Sequence, residues 1–147
     1  MSAAANADQL TIAGTLNASA SNLTVYNGIG SDVTVLSGGV IQTTSGQIIA
    51  NNAGVVYDIS GTIKTTDVDG FSGSTLTTIS NANSPTIIMN TGSTIEYSAT
   101  VAQTITTNTD YPNLKISGTG NKSLANSFNI NGDLIITSGN FVFGRVS

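Results

Sequence analysis

The sequence predicts an all-β chain folded as a right-handed parallel β-helix, and three observations carry that expectation. Apolar side chains recur at every second position in short runs, the signature of strands with one buried face. Turn dipeptides punctuate those runs: Ser-Gly occurs six times and Asn-Gly twice, and glycines 38, 46, 54 and 61 are spaced by 8, 8 and 7 residues. The composition is dominated by Thr (22), Ser (18), Asn (16) and Gly (16), yet holds 34 Ile, Val and Leu. Disordered chains lack such branched aliphatics. With only 8% charged residues the chain also lacks the Glu and Lys on which coiled coils and helical bundles depend.

Taken in order, the alternating runs are Leu10-Thr11-Ile12, Asn22-Leu23-Thr24-Val25-Tyr26, Asp32-Val33-Thr34-Val35-Leu36, Gly61-Thr62-Ile63-Lys64-Thr65 and Ser93-Thr94-Ile95-Glu96-Tyr97. Val55-Val56-Tyr57, Ile87-Ile88-Met89 and Leu134-Ile135-Ile136 are continuous apolar runs, read as strands covered more fully. No stretch of twelve residues keeps a helical period. Glycine accepts φ > 0 without penalty and Asn tolerates it, so the dipeptides between runs read as corners. A β-sandwich is the alternative. It favours longer strands, large aromatics and loop prolines, whereas this chain has four Phe, four Tyr, no Trp and two Pro. A β-helix fills a narrow interior with Ile, Val and Leu and turns on small polar residues. The expected inward positions are Ile12, Val25, Val35, Ile41, Ile48, Ile63, Ile95, Ile105, Ile116, Ile130 and Ile135. At about 20–25 residues per coil, six or seven coils would make a rod of about 30 Å.

The same composition narrows function. Without His or Cys, imidazole proton relays, thiol nucleophiles and Cys/His metal sites are excluded. Four scattered basic residues, Lys64, Lys115, Lys122 and Arg145, face eight acidic ones for a net charge of −4, so no cluster exists to neutralise phosphates and nucleic acid is not an expected partner. No apolar run approaches the length of a membrane-spanning helix. The first residues, Met1 to Asp8, have neither a basic segment nor a continuous apolar stretch of the kind a signal peptide needs. The expectation is one solenoid segment over 1–147, part of a longer exported repeat protein.

Between about residues 39 and 140 several blocks occur in a fixed order: Gly61-Thr62-Ile63-Lys64-Thr65-Thr66-Asp67-Val68-Asp69-Gly70-Phe71-Ser72-Gly73, then Ser93-Thr94-Ile95-Glu96-Tyr97-Ser98 and Gln103-Thr104-Ile105-Thr106. Tyr111-Pro112-Asn113-Leu114-Lys115-Ile116-Ser117-Gly118 and Asn129-Ile130-Asn131-Gly132-Asp133-Leu134-Ile135-Ile136 follow. In these blocks the chain resembles the repeat modules of very large adhesin-like surface and secreted proteins of gliding bacteria with type IX secretion. The likeness is weaker over the first 30 residues. It implies a β-solenoid stalk or adhesive segment on the cell exterior, and implies no enzymatic activity.

Candidate sites are few. Asp67-Val68-Asp69-Gly70 is the only acidic cluster, and its spacing resembles the opening of a calcium loop. The later ligands are missing, because Phe71, Ser72 and Gly73 follow, so Asp67 and Asp69 read first as a turn whose Asp bonds its own backbone. Asp58, Asp67, Asp69 and Glu96 are the only mid-chain carboxylates for a sugar-cleaving pair, with Lys64 the one nearby base. The alternative function is therefore a carbohydrate-binding or carbohydrate-cleaving β-helix, for which Tyr26, Tyr57, Tyr97 and Tyr111 would form the stacking surface. The Thr-x-Thr pairs Thr75/Thr77 and Thr104/Thr106 suit an ice-binding rank only if they lie flat and exposed. No cofactor is expected. The expected partners are adjacent repeats or further copies of the chain, paired through strand ends that lack a dedicated cap, with surface polysaccharide as a possible ligand.

Overall fold

The computed structural model describes residues 5–107, 109–124 and 126–143. The chain winds through three faces per coil. β1 (Ala5–Ala7), β2 (Leu10–Ile12) and β3 (Thr15–Ser19) form the first coil; β4 (Leu23–Val25), β5 (Val33–Val35) and β6 (Val40–Thr43) form the second; β7 (Ile48–Ala50), β8 (Val56–Ile59) and β9 (Thr62–Thr65) form the third. An insertion, residues 66–80, precedes β10 (Thr86–Met89) and β11 (Thr94–Tyr97). Then come β12 (Gln103–Thr104) and β13 (Asn113–Ile116), β14 (Asn121–Ser123) and β15 (Leu134–Ile136), and finally β16 (Asn140–Val142). One isolated bridge, between Tyr111 and Ile130, replaces the second-face strands in the last two full coils.

Every strand pairing among the described residues is parallel. A sandwich built of hairpins is antiparallel, so the fold is a parallel β-helix of about six coils. The third face is the longest ladder, ordered β3, β6, β9, β11, β13, β15. Its inward row runs Leu16, Ile41, Ile63, Ile95, Leu114, Leu134. On the second face Leu10, Val33, Tyr57 and Ile87 stack beside Ile12, Val35, Ile59 and Met89. On the first face Leu23, Ile48 and Ile79 continue the pattern. Each such branched side chain contributes about 1.5–3 kcal/mol on full burial.

Nine of the eleven expected inward residues are buried. Ile130 is only half-buried, and Ile135 faces outward. Ile135 pairs with Lys115, while its neighbours Leu134 and Ile136 carry on the rows of Leu114 and Ile116. The run Leu134-Ile135-Ile136 is apolar at all three positions, so it holds no parity signal, and a one-residue slip exchanges the faces. The fuller cover expected of such runs is found at Val55-Val56-Tyr57, where no residue is exposed, and is absent from the other two. Ile88 points outward beside Asp58, and all three residues of β15 are exposed.

The corner glycines serve two different needs. Gly38 and Gly54 hold φ of +85° and +91°, as their turn role predicts. Gly46 and Gly61 do not have positive φ; there the next coil is too close. A Cβ on Gly46 would lie 2.2 Å from the Ser21 carbonyl oxygen, and one on Gly61 would lie 2.2 Å from the Gly39 carbonyl oxygen. That Gly39 oxygen accepts the Thr62 amide at 2.8 Å, and the Gly61 oxygen in turn accepts the Thr94 amide at 3.0 Å.

The interior changes character along the rod. In the first coils it is aliphatic. At the insertion three buried hydroxyls meet, Thr65 and Thr78 at 2.5 Å and Thr43 and Thr78 at 3.3 Å, so each satisfies another where water is excluded. The insertion itself covers the first face: the Thr78 and Ile79 amides donate to the Gly70 and Phe71 carbonyls at 3.1 and 2.8 Å, and Phe71 fills the core. Beyond it runs an aromatic column, with Tyr97, Tyr111, Phe128, Phe141 and Phe143 in successive edge-to-face contact.

Candidate functional site

The acidic cluster lies where β9 leaves the third face and enters the insertion. The Asp69 amide donates to Asp67 Oδ1 at 3.0 Å, and the Asp67 amide donates to Thr65 Oγ1 at 3.0 Å. Gln103 Nε2, from the next coil, donates to the Asp67 carbonyl at 2.8 Å. This is an Asx turn pinned to the coil above, with one carboxylate oxygen already committed to the backbone. The loop borders a shallow cleft of about 450 Å³ shared with Thr44, Gln47, Val68 and Leu76. Among the described residues no three Asp, Glu, His or Cys side chains come together.

Partial burial holds the Asp67 carboxyl above its ordinary 3.8. The Asp69 amide lowers it and the Asp69 charge raises it, both to a lesser degree. A raised value means that the fold binds this proton more tightly than the unfolded chain does. The associated stability is present at low pH and is lost as pH rises from about 3.8 through the folded value. Asp67→Asn keeps the oxygen that accepts the Asp69 amide and removes the charge. It is expected to raise the Tm at pH 7 and to leave it unchanged at pH 3, by scanning calorimetry. Calcium should not stabilise the wild-type chain. A rise of several degrees with calcium, abolished by Asp69→Ala, would overturn the turn assignment.

The other carboxylates considered for sugar cleavage are held apart. Asp58 faces outward from the second face, where Asn90 Nδ2 donates to it at 2.5 Å and to Ser60 Oγ at 3.0 Å. Glu96 lies on the third face between two lysines, with Lys115 Nζ at 3.3 Å and Lys64 Nζ at 3.8 Å, and it accepts Ser117 Oγ at 2.5 Å. The row exists because β9, β11 and β13 place Lys64, Glu96 and Lys115 in register. Half-exposed lysines make such ion pairs worth little individually, so the row joins three coils without forming an acid–base pair.

Three of the four tyrosines are buried, leaving Tyr26 alone at the surface. Tyr97 and Tyr111 share a hydrogen bond at 2.9 Å, and the Tyr111 hydroxyl donates to the Thr106 carbonyl at 2.7 Å. They are core groups, and no tyrosine stacking surface forms. The Thr-x-Thr pairs are split too: Thr75 and Thr104 are exposed, whereas Thr77 and Thr106 are buried.

Two buried ionisable groups escape sequence reasoning. The Asp32 carboxylate accepts the Gly28 amide at 2.5 Å and the Val56 amide at 2.8 Å, tying the second coil to the third. Its preceding position to a Val-x-Val run is the only signal for it. Lys122 points inward on β14 and donates to the Ala99 and Gly120 carbonyls at 2.9 and 2.8 Å. Burial pushes its ammonium below the ordinary lysine value. In the third coil, under the influence of the Asp32 charge, the buried Tyr57 hydroxyl has no hydrogen-bond partner, and burial followed by that charge raises its pKa. Comparison with known protein families, curated proteins and solved structures yields no match.

Proposed function

We propose that this chain is a non-catalytic structural module, a rod segment of a large exported bacterial surface protein with an adhesive role. The observation that carries the reading is the third-face ladder, six parallel strands from β3 to β15, with a single bulge between Asn17 and Ser19 in β3. Each coil is held only by its neighbours, so such a ladder transmits position along an axis and sets a length, the task of a stalk. The spread of Asp58, Asp67 and Glu96 over different parts of the surface favours a spacer over a polysaccharide-cleaving groove. The sequence blocks quoted above supply the expectation of export and of a place on the cell exterior. Antibody raised against the chain is expected to label intact, unpermeabilised cells of the source organism. Labelling that arises only after permeabilisation would overturn the surface assignment.

A further inference from the structure

We infer that the edge of β10 is a docking site for one extended, uncharged peptide strand, which adds to the second face in a gap that the insertion opens there. The inference goes beyond the rod reading and stands without it.

The gap follows from a mismatch in the number of rungs. On the third face β11 pairs directly with β9 below and β13 above, so successive coils there are one strand spacing apart, about 4.8 Å. On the first face an additional segment intervenes. Ile79 pairs with Ile48 on one side, and on the other its amide donates to the Phe71 carbonyl at 2.8 Å. The same segment then meets the following coil. The Thr104 amide donates to the Val68 carbonyl at 2.9 Å, and Thr106 Oγ1 donates to the Ser72 carbonyl at 2.9 Å. Residues 68–72 thus form a rung between Ile79 and β12. The coil of β10 and the coil of β12 are two spacings apart on the first face and one on the third, so the second face between them must splay.

β10 forms the lower lip of that opening. It pairs with β8 and is the last strand of its sheet. The edge is interior to the rod, because β13 and β15 continue the third face past it. The Thr86 and Asn90 amides donate to the Val55 and Ile59 carbonyls at 2.9 and 2.8 Å. Residues of a parallel ladder turn their N–H and C=O groups alternately to either side, so Ile87 and Met89 turn theirs into the opening. Among the described residues those groups find no hydrogen-bond partner. Unpaired donors and acceptors at this spacing are a template for an added strand.

The opening is a cleft of about 360 Å³ between Ser84, Pro85 and Ile87 on one side and Thr109 on the other, backed by Phe71. A second, of about 290 Å³, lies between Met89 and Pro112 at the far end of β10. Neither has a charged residue in its walls. A gap one rung wide admits an extended backbone and excludes an α-helix, whose diameter with side chains is about 10–12 Å. An inward apolar side chain of the incoming strand would continue the row Leu10, Val33, Tyr57, Ile87. A charged one would lose its water to uncharged walls. The occupant is therefore an uncharged peptide segment with an apolar residue at every second position.

Amide exchange followed by NMR on the intact chain tests this. In the free chain the Ile87 and Met89 amides are expected to exchange much faster than those of Thr86 and Ile88, which bond to β8. A capped Thr-Val-Thr-Val-Thr peptide at about ten times its Kd should slow both about tenfold and leave Thr86 and Ile88 unchanged. The fully N-methylated peptide, which has lost its donors, should protect neither. Ile87 and Met89 amides as slow as their neighbours in the free chain overturn the open edge. Absence of protection by the peptide, or equal protection by its N-methylated form, overturns strand addition. Protection that rises with the concentration of the chain alone identifies a second copy as the occupant and overturns the peptide assignment. None of these readings depends on export, so this inference and the surface assignment fail separately.

Discussion

Ile95→Ala is expected to destabilise the chain by about 2–5 kcal/mol, the usual cost of opening a cavity in a core that cannot collapse around it. Ile95 is fully buried and lies between Ile63 below and Leu114 above in the third-face row. Both neighbours belong to strands fixed by backbone hydrogen bonds, so neither can move in to fill the space. A loss of this size is a large share of the 5–15 kcal/mol typical of a domain. Ile135→Ala supplies the contrast, since its side chain points outward beside Lys115, and a change within about 0.5 kcal/mol is expected there. Urea unfolding of both variants reads the difference. A cost below about 1 kcal/mol at Ile95 would contradict the stacked core.

Gly61→Ala is expected to cost about 3 kcal/mol or more, toward the upper end of overpacking penalties. The usual sign of a Gly→Ala change at an ordinary φ is a small gain, about 0.4–1 kcal/mol, because the unfolded chain loses freedom. Here the added carbon would meet the Gly39 and Leu36 carbonyl oxygens at 2.2 and 2.4 Å. Backbone oxygens cannot swing aside as a side-chain tip can, and the Gly39 oxygen is the acceptor that sets the register of the third coil. Gly14 lies at the same kind of corner in the first coil, with open space where its Cβ would be. Gly14→Ala should therefore be neutral or slightly stabilising. Thermal melts of the two variants ought to move in opposite directions, and equal shifts would show that the corner is not crowded.

This contrast also marks what the sequence makes legible. Alternating runs such as Gly61–Thr65 and Ser93–Tyr97 announce their buried face because a half-covered strand must separate apolar from polar residues. Glycine positions announce corners, but not whether the cause is a left-handed backbone, as at Gly38, or a neighbouring coil, as at Gly61. β3 and β14 are strands made largely of Thr, Asn, Ser and Lys; stacking on a ready-made ladder supplies their hydrogen bonds, so they need little intrinsic preference. The Asx turn at Asp67 is local and was readable from Asp-x-Asp-Gly. The Lys64–Glu96–Lys115 row was not, because it depends on coil lengths. Lys64 and Glu96 are 32 positions apart across the insertion, while Glu96 and Lys115 are 19 apart. No fixed period links them.

The aromatic column gives the two halves of the rod different optical identities. With no tryptophan in the chain, ultraviolet absorption and emission above the peptide bands belong to tyrosine and phenylalanine. Tyr97 and Tyr111, locked edge to face with their centroids 6.5 Å apart, sit in an asymmetric, water-free setting that generates near-ultraviolet circular dichroism. Tyr26 stands in solvent, where its ring contributes little to that signal. Loss of near-ultraviolet ellipticity during unfolding is thus weighted toward the coils beyond the insertion, while far-ultraviolet ellipticity follows every strand. Tyr57 on β8 is the one buried tyrosine before the insertion, so the label is weighted toward one half, and a lag between the two signals would reveal at which end the solenoid begins to unwind.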